Sequence, residues 1–177
     1  MVYTQTKTSG IDRAVIDTLL AGLVDEEEWL TAILGIANPM ECASLARFIT
    51  ICMVRRYAAS LLYEIDLHTK EPNGAREIYT SHLGMALGLQ IEGANYLEDV
   101  DDDLYCARYL RAWLLAAQLR HGLRRFFGRR WFTDRRAGAF LADLWREGQR
   151  LNAVEVATAA GYAGLQAEPL LAELLDD

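Results

Sequence analysis

Residues 38–69 read NPMECASLARFITICMVRRYAASLLYEIDLHT, and the fold turns on this stretch. Asn38 is a helix-capping residue. Pro39 suits the first helical position, where its missing N–H leaves nothing unpaired, and Glu41 follows two residues later. From Glu41 to Thr69 no proline or glycine interrupts the run. Leu45, Phe48, Ile49, Cys52, Met53, Tyr57, Leu61, Leu62 and Ile65 cover more than half of the circumference. The spacing predicts a long central helix packed on several sides.

Helical signals continue on both sides of this stretch. Ile11 to Val24 alternates apolar and polar residues at helical spacing. Asp25 to Leu34 carries three glutamates in its first turn and Gly35 just past its end. Pro72-Asn73-Gly74 reads as a turn. Ala75 to Leu89 reads as a helix weakened by Gly84 and Gly88. A second long helix is expected from about Asp102 to Phe127, stopped by Gly128. Thr133 or Asp134 caps a helix to about Gly148. Asn152 and Glu155 form a capping box for a short helix ending at Gly161, and Glu168 to Leu175 forms one more. No strand, repeat or flexible linker is legible. The expected fold is all-α: a single helical domain over 11–177 of about seven to nine helices, two of them long and central, after a flexible N-terminus at 1–10.

The bulk numbers bound the function. The chain has 177 residues, is 52% hydrophobic and contains only three prolines, which describes a globular protein with a sizeable core. A net charge of −7 argues against a general nucleic-acid or anionic-membrane binder. No apolar run reaches the roughly 20 residues that span a membrane. The polar start MVYTQTKTSG does not resemble a signal peptide. Cys42, Cys52 and Cys106 include no CxxC pair. Cys42 and Cys52 on one helix would lie about 15 Å apart, at 1.5 Å per residue, too far to bridge. Free, largely buried cysteines fit a reducing compartment, so a cytoplasmic location is expected.

The acidic run Asp99-Val100-Asp101-Asp102-Asp103-Leu104-Tyr105-Cys106-Ala107-Arg108-Tyr109 invites a calcium reading. Asp99, Asp101 and Asp103 fill the first three ligand positions of an EF-hand loop. The sixth position, however, is Leu104 where glycine must turn the chain, and the twelfth is Leu110 where a bidentate glutamate closes the cage. The simpler reading is that Asp101 to Asp103 cap a helix and place negative charge at its N-terminus.

Catalytic patterns are scarce. His68, His82 and His121 are the three histidines. None belongs to an HExxH motif, none follows a glutamate by three residues as in di-iron bundles, and no nucleophile triad is evident. Glu64 and His68 lie one turn apart and could share a metal, although a surface pair at a helix end looks the same. The segment HGLRRFFGRRWF at 121–132 is basic and interleaved with aromatics. Over 120–136 such a pattern can bind single-stranded nucleic acid by charge and stacking. In an acidic chain it is better read as aromatics closing a helix end onto the core while the arginines stay solvated.

The stretch YCARYLRAWLLAAQL from Tyr105, followed by FFGRRWFTDRRAGAFLADLWREGQRLNAVEVATAAGYAGLQAEPLLAEL, resembles the C-terminal end of thimet-oligopeptidase-like zinc metallopeptidases. It is most similar to a branch related to oligoendopeptidase F. DEEEWLTAILGI and VRRYAASLLYEIDLH also resemble that branch, so the likeness covers roughly Asp25 to the end. The resemblance implies a zinc site made by HExxH and a glutamate on a later helix. It also implies a tyrosine-rich stretch, Y-x-A-x-Y-Y-x-Y, that binds substrate and stabilises the oxyanion. Tyr105, Ala107 and Tyr109 match the first half of that stretch. Leu110 and Ala112 stand where further tyrosines are expected, and Val100 where a histidine often precedes the motif. The helix expected to carry the glutamate ligand, Ile11 to Val24, contains none.

All three zinc ligands are therefore missing from the pattern. The resemblance implies a substrate-side wall without its metal, with Tyr105, Arg108 and Tyr109 as substrate-binding residues, no metal-ligating or catalytic residue and no cofactor. The chain then reads as a non-catalytic relative or as the C-terminal part of a split or truncated peptidase. An HExxH-bearing partner chain or a homo-oligomer, and a peptide ligand, are the expected partners. A helical peptide- or protein-binding regulatory module is the competing reading, and nucleic-acid binding through 120–136 is a weaker one.

Overall fold

The computed structural model describes residues 13–69, 74–100 and 104–175. The flexible N-terminus expected at 1–10, most of the turn at 72–74 and the capping run Asp101 to Asp103 lie outside the described residues. The architecture is all-α. The helices are α1 (Arg13–Ala21), α2 (Glu27–Leu34), α3 (Pro39–Thr69), α4 (Ala75–Leu87), α5 (Tyr105–Phe127), α6 (Arg135–Arg146), α7 (Ala153–Ala159) and α8 (Glu168–Leu175), with no strand among the described residues. The two long helices stand where the sequence places them. No described helix is long and apolar enough to cross a membrane.

Local chemistry sets the ends of these helices. Gly35, at φ 68°, closes α2 in a left-handed cap, with its N–H on the Thr31 carbonyl and the Ile36 N–H on the Leu30 carbonyl. Asn38 donates its side-chain amide to Glu41 at 2.8 Å where α3 begins. Asp134 caps α6 by accepting the Arg136 N–H. At α7 the capping box is complete: Asn152 accepts the N–H groups of Val154 and Glu155, and the Glu155 carboxylate accepts the Asn152 N–H at 2.7 Å.

One boundary differs from expectation. Gly88 does not weaken α4 from within; at φ 66° it ends the helix after Leu87. The second long helix is described from Tyr105, and Leu104 before it sits at φ 54°, in the left-handed region.

The described residues fall into two compact units, one formed by 13–46 and 112–175 and the other by 47–111. In the first, α5 presents Leu115, Leu119 and Leu123 at four-residue intervals to a core that includes Leu19, Trp131, Leu141 and Val156. Gly122 lets the end of α7 approach closely, since a Cβ there would stand 2.7 Å from the Ala160 carbonyl oxygen. Two arginines of α5 are locked into this unit. Arg120, 4% exposed, donates to the Glu173 carboxylate of α8 at 2.6 Å and to the Thr18 carbonyl of α1 at 3.0 Å. Arg124 donates to Glu26 at 2.5 Å and to Glu173 at 3.1 Å. Burial works against the charge on Arg124, but Glu26 and Glu173 outweigh it and hold the guanidinium more firmly protonated.

The basic aromatic segment divides between core and surface. Trp131 is buried and Phe127 and Phe132 pack on the core, as expected of aromatics that close a helix end, but Phe126 is exposed. The arginines are not all solvated, however. Arg120 and Arg124 point inward because Glu173 and Glu26 supply carboxylates for them, whereas Arg129 stays on the surface near Glu28 at 3.7 Å.

The second unit has a smaller core, built from Ala59 and Tyr63 of α3 and Tyr79 and Leu83 of α4. The rings of Tyr63 and Tyr79 meet edge to face at 5.2 Å. Here α3 departs from its reading as a helix packed on several sides. Phe48, Ile49, Met53, Leu62 and Ile65 are exposed, Phe48 by 61%, while Ser60, Tyr63 and Glu64 are buried. Apolar periodicity reports which residues favour burial, not whether a neighbouring element is there to cover them. The cysteines differ from expectation too: Cys106 is buried and Cys52 half-buried, but Cys42 is exposed.

Candidate functional site

The first turn of α5 carries Tyr105, Arg108 and Tyr109 at i, i+3 and i+4, which places them on one face. Tyr105 and Arg108 are exposed and Tyr109 is half-buried. The Tyr105 hydroxyl donates to the Tyr109 hydroxyl at 3.2 Å, and their rings meet edge to face at 5.0 Å. The Arg108 guanidinium lies 5.5 Å from the Tyr105 ring centre. On its other side Tyr109 packs against Tyr57 of α3, with ring centres 5.2 Å apart. The result is a wall of three tyrosines with an arginine at its edge.

Tyr57 also lines a cavity of about 190 Å³ within the same unit, together with Met53, Arg56, Ser60, Glu98, Asp99 and Cys106. Asp99, at the head of the acidic run, accepts the Tyr79 hydroxyl at 2.5 Å and the Arg56 guanidinium at 3.2 Å. Burial, then the hydrogen bond to Asp99 and its charge, push the Tyr79 phenol up to about 12, with Arg56 opposing them. Tyr63 donates to the Tyr96 carbonyl at 2.5 Å. Its phenol is also raised, first by burial and then by Tyr96, Glu64 and Asp99. Glu64 is fully buried, and the Cys106 thiol donates to its carboxylate at 3.7 Å.

The metal pair considered from sequence is not assembled. Glu64 faces the interior of its unit beside Cys106, whereas His68, in the last turn of α3, is exposed. The two share a helical face, but only the earlier turn is covered. His82 instead meets Asp66 at 3.0 Å. Among the described residues no group of three or more His, Cys, Asp or Glu could hold a metal ion. The described residues, which carry no HExxH, therefore do not fit the zinc that the family resemblance implies.

The sequence, through the family resemblance, singles out the α5 trio. It misses Tyr57, Ser60 and Asp99. Tyr57 is read as one more apolar residue of α3, and Asp99 is given no role once the calcium loop is set aside. The phenol–carboxylate bond from Tyr79 to Asp99 spans 20 residues and leaves no periodic mark. Comparison with protein-family models, with curated proteins and with solved structures gives no match to this chain.

Proposed function

We propose that this chain is a metallopeptidase-related helical module that binds peptide along the tyrosine wall of 47–111 and does not cleave it alone. One observation carries the reading: Tyr57, Tyr109 and Tyr105 interlock beside a polar cavity, with Arg108 at the edge of the wall. Phenol hydroxyls and a guanidinium on one face can donate to peptide carbonyls, and arginine can engage a carboxylate with two parallel bonds. Peptide cleavage would need a metal site from another chain, since catalytic zinc takes about three protein ligands. The exposed Phe48, Ile49, Met53, Leu62 and Ile65 support association with a further chain, because uncovered apolar patches mark interaction surfaces.

Calorimetric titration of the purified chain with unblocked peptides, alongside zinc analysis after dialysis, tests the proposal. Saturable peptide binding, weakened by Arg108→Ala, with no stoichiometric zinc and no hydrolysis is the expected result. One equivalent of retained zinc, or hydrolysis by the chain alone, would refute the non-catalytic reading. Undiminished binding by Arg108→Ala together with Tyr105→Ala would remove the wall from the account.

A further inference from the structure

The cavity beside the tyrosine wall holds more carboxylate than its lining neutralises. Glu98 and Asp99 line it. Arg56, the cation among the lining residues, is drawn onto Asp99 at 3.2 Å. Asp99 also accepts the Tyr79 hydroxyl. Glu98 is exposed and takes part in none of the described ion pairs or hydrogen bonds.

A second observation is independent of charge. Ser60 lines the cavity, is 5% exposed, and its hydroxyl makes none of the described hydrogen bonds. A hydroxyl on the cavity wall that makes no described hydrogen bond can accept one from a ligand's N–H. Tyr57 adds a ring face, and Met53 adds a soft apolar side. Carboxylates, a hydroxyl acceptor and an aromatic ring around a space of about 190 Å³ suit a compact cation with several N–H donors. An anionic ligand would meet Glu98 and Asp99 with its own charge.

We propose that this cavity binds a primary ammonium group, carried by the amino terminus of a peptide or by a lysine side chain. The inference deepens the peptide-binding reading and rests on it, since the peptide attached to that ammonium would continue along the wall of Tyr57, Tyr109 and Tyr105.

The test is calorimetric titration of the whole chain at neutral pH with four probes: the tripeptide amide Ala-Phe-Ala, its N-acetylated form, N-acetyl-lysine amide, and n-propylammonium. The free tripeptide should bind about ten-fold or more tighter than the acetylated one, the weight of a charge-assisted hydrogen bond. Binding of N-acetyl-lysine amide would assign the site to a side chain, and its failure beside a bound free tripeptide to an amino terminus. Glu98→Gln and Ser60→Ala should each weaken the free tripeptide at least about three-fold, by loss of a partner for the ammonium, with Tm unchanged. Equal binding of the free and acetylated tripeptides would overturn the ammonium site while leaving peptide binding intact. Binding of n-propylammonium without either tripeptide would keep the site and remove the peptide reading. No binding of any probe would overturn both.

Discussion

The unit of 13–46 and 112–175 and the unit of 47–111 differ in what their polar side chains meet. In the first, two inward-pointing arginines are consumed: Arg120 spends its donors on Glu173 and Thr18, and Arg124 on Glu26 and Glu173. Leucines of α5, Trp131 and Val156 fill the space around them. In the second, a smaller tyrosine-rich core leaves a polar cavity, a hydroxyl without a described partner and a wall of phenols in reach of solvent. The difference teaches where stability and recognition are invested. The paired arginines hold helices in place, although the buried Trp131 indole N–H of the same unit has no hydrogen-bond partner among the described residues, and the cavity of the second unit is open to a ligand.

The comparison breaks first at the core of the larger unit. Trp131→Ala should cost about 3–5 kcal/mol in chemical denaturation, as large aromatic truncations do, because Trp131 is 4% exposed within the leucine core. A cost below that of Tyr109→Ala, on the half-buried wall, would contradict the division. Arg120→Ala should follow at about 2 kcal/mol, since hydrogen bonds to charged groups are lost while Glu173 keeps Arg124.

Much of this architecture is legible in the sequence because helix ends are local. Asp134, the Asn152–Glu155 box, Pro39 and Gly35 all lie within a few residues of what they terminate, and each stands in its expected place. Burial and pairing are not local. Leu62 and Glu64 are two residues apart on α3, yet the leucine is exposed and the glutamate fully buried, because the neighbouring elements decide which face is covered. Arg120 and Glu173 are 53 residues apart, so no spacing rule joins them. The candidate site divides the same way. Tyr105, Arg108 and Tyr109 share one turn and were legible, whereas Tyr57, Ser60 and Asp99 come from other segments and were not.

A pH titration sharpens the contrast inside the smaller unit. The Tyr79 phenol is raised from about 10 in the unfolded chain to about 12 in the folded one. The unfolded state therefore loses its proton first as pH rises. The contribution of this group is complete below pH 10 and is lost between about pH 10 and 12. Stability followed across that window should fall for the wild type, and Tyr79→Phe should flatten part of the fall. An unchanged slope in the variant would show that Tyr79 does not titrate as its burial and its bond to Asp99 require.

The smallest effect on stability should come from the wall itself. Arg108 is exposed, so Arg108→Ala should change stability by no more than about 0.5 kcal/mol. A large loss in Tm would make Arg108 a structural residue and weaken its role in binding.

The central claim, that recognition resides in 47–111, is tested most directly by amide hydrogen exchange of the chain with and without saturating unblocked peptide. The account predicts added protection on α3 around Arg56 to Ser60, at Glu98 and Asp99, and in the first turn of α5, with residues 112–175 unchanged. Protection centred on 112–175 instead, or none at a peptide concentration where calorimetry shows saturation, would contradict it.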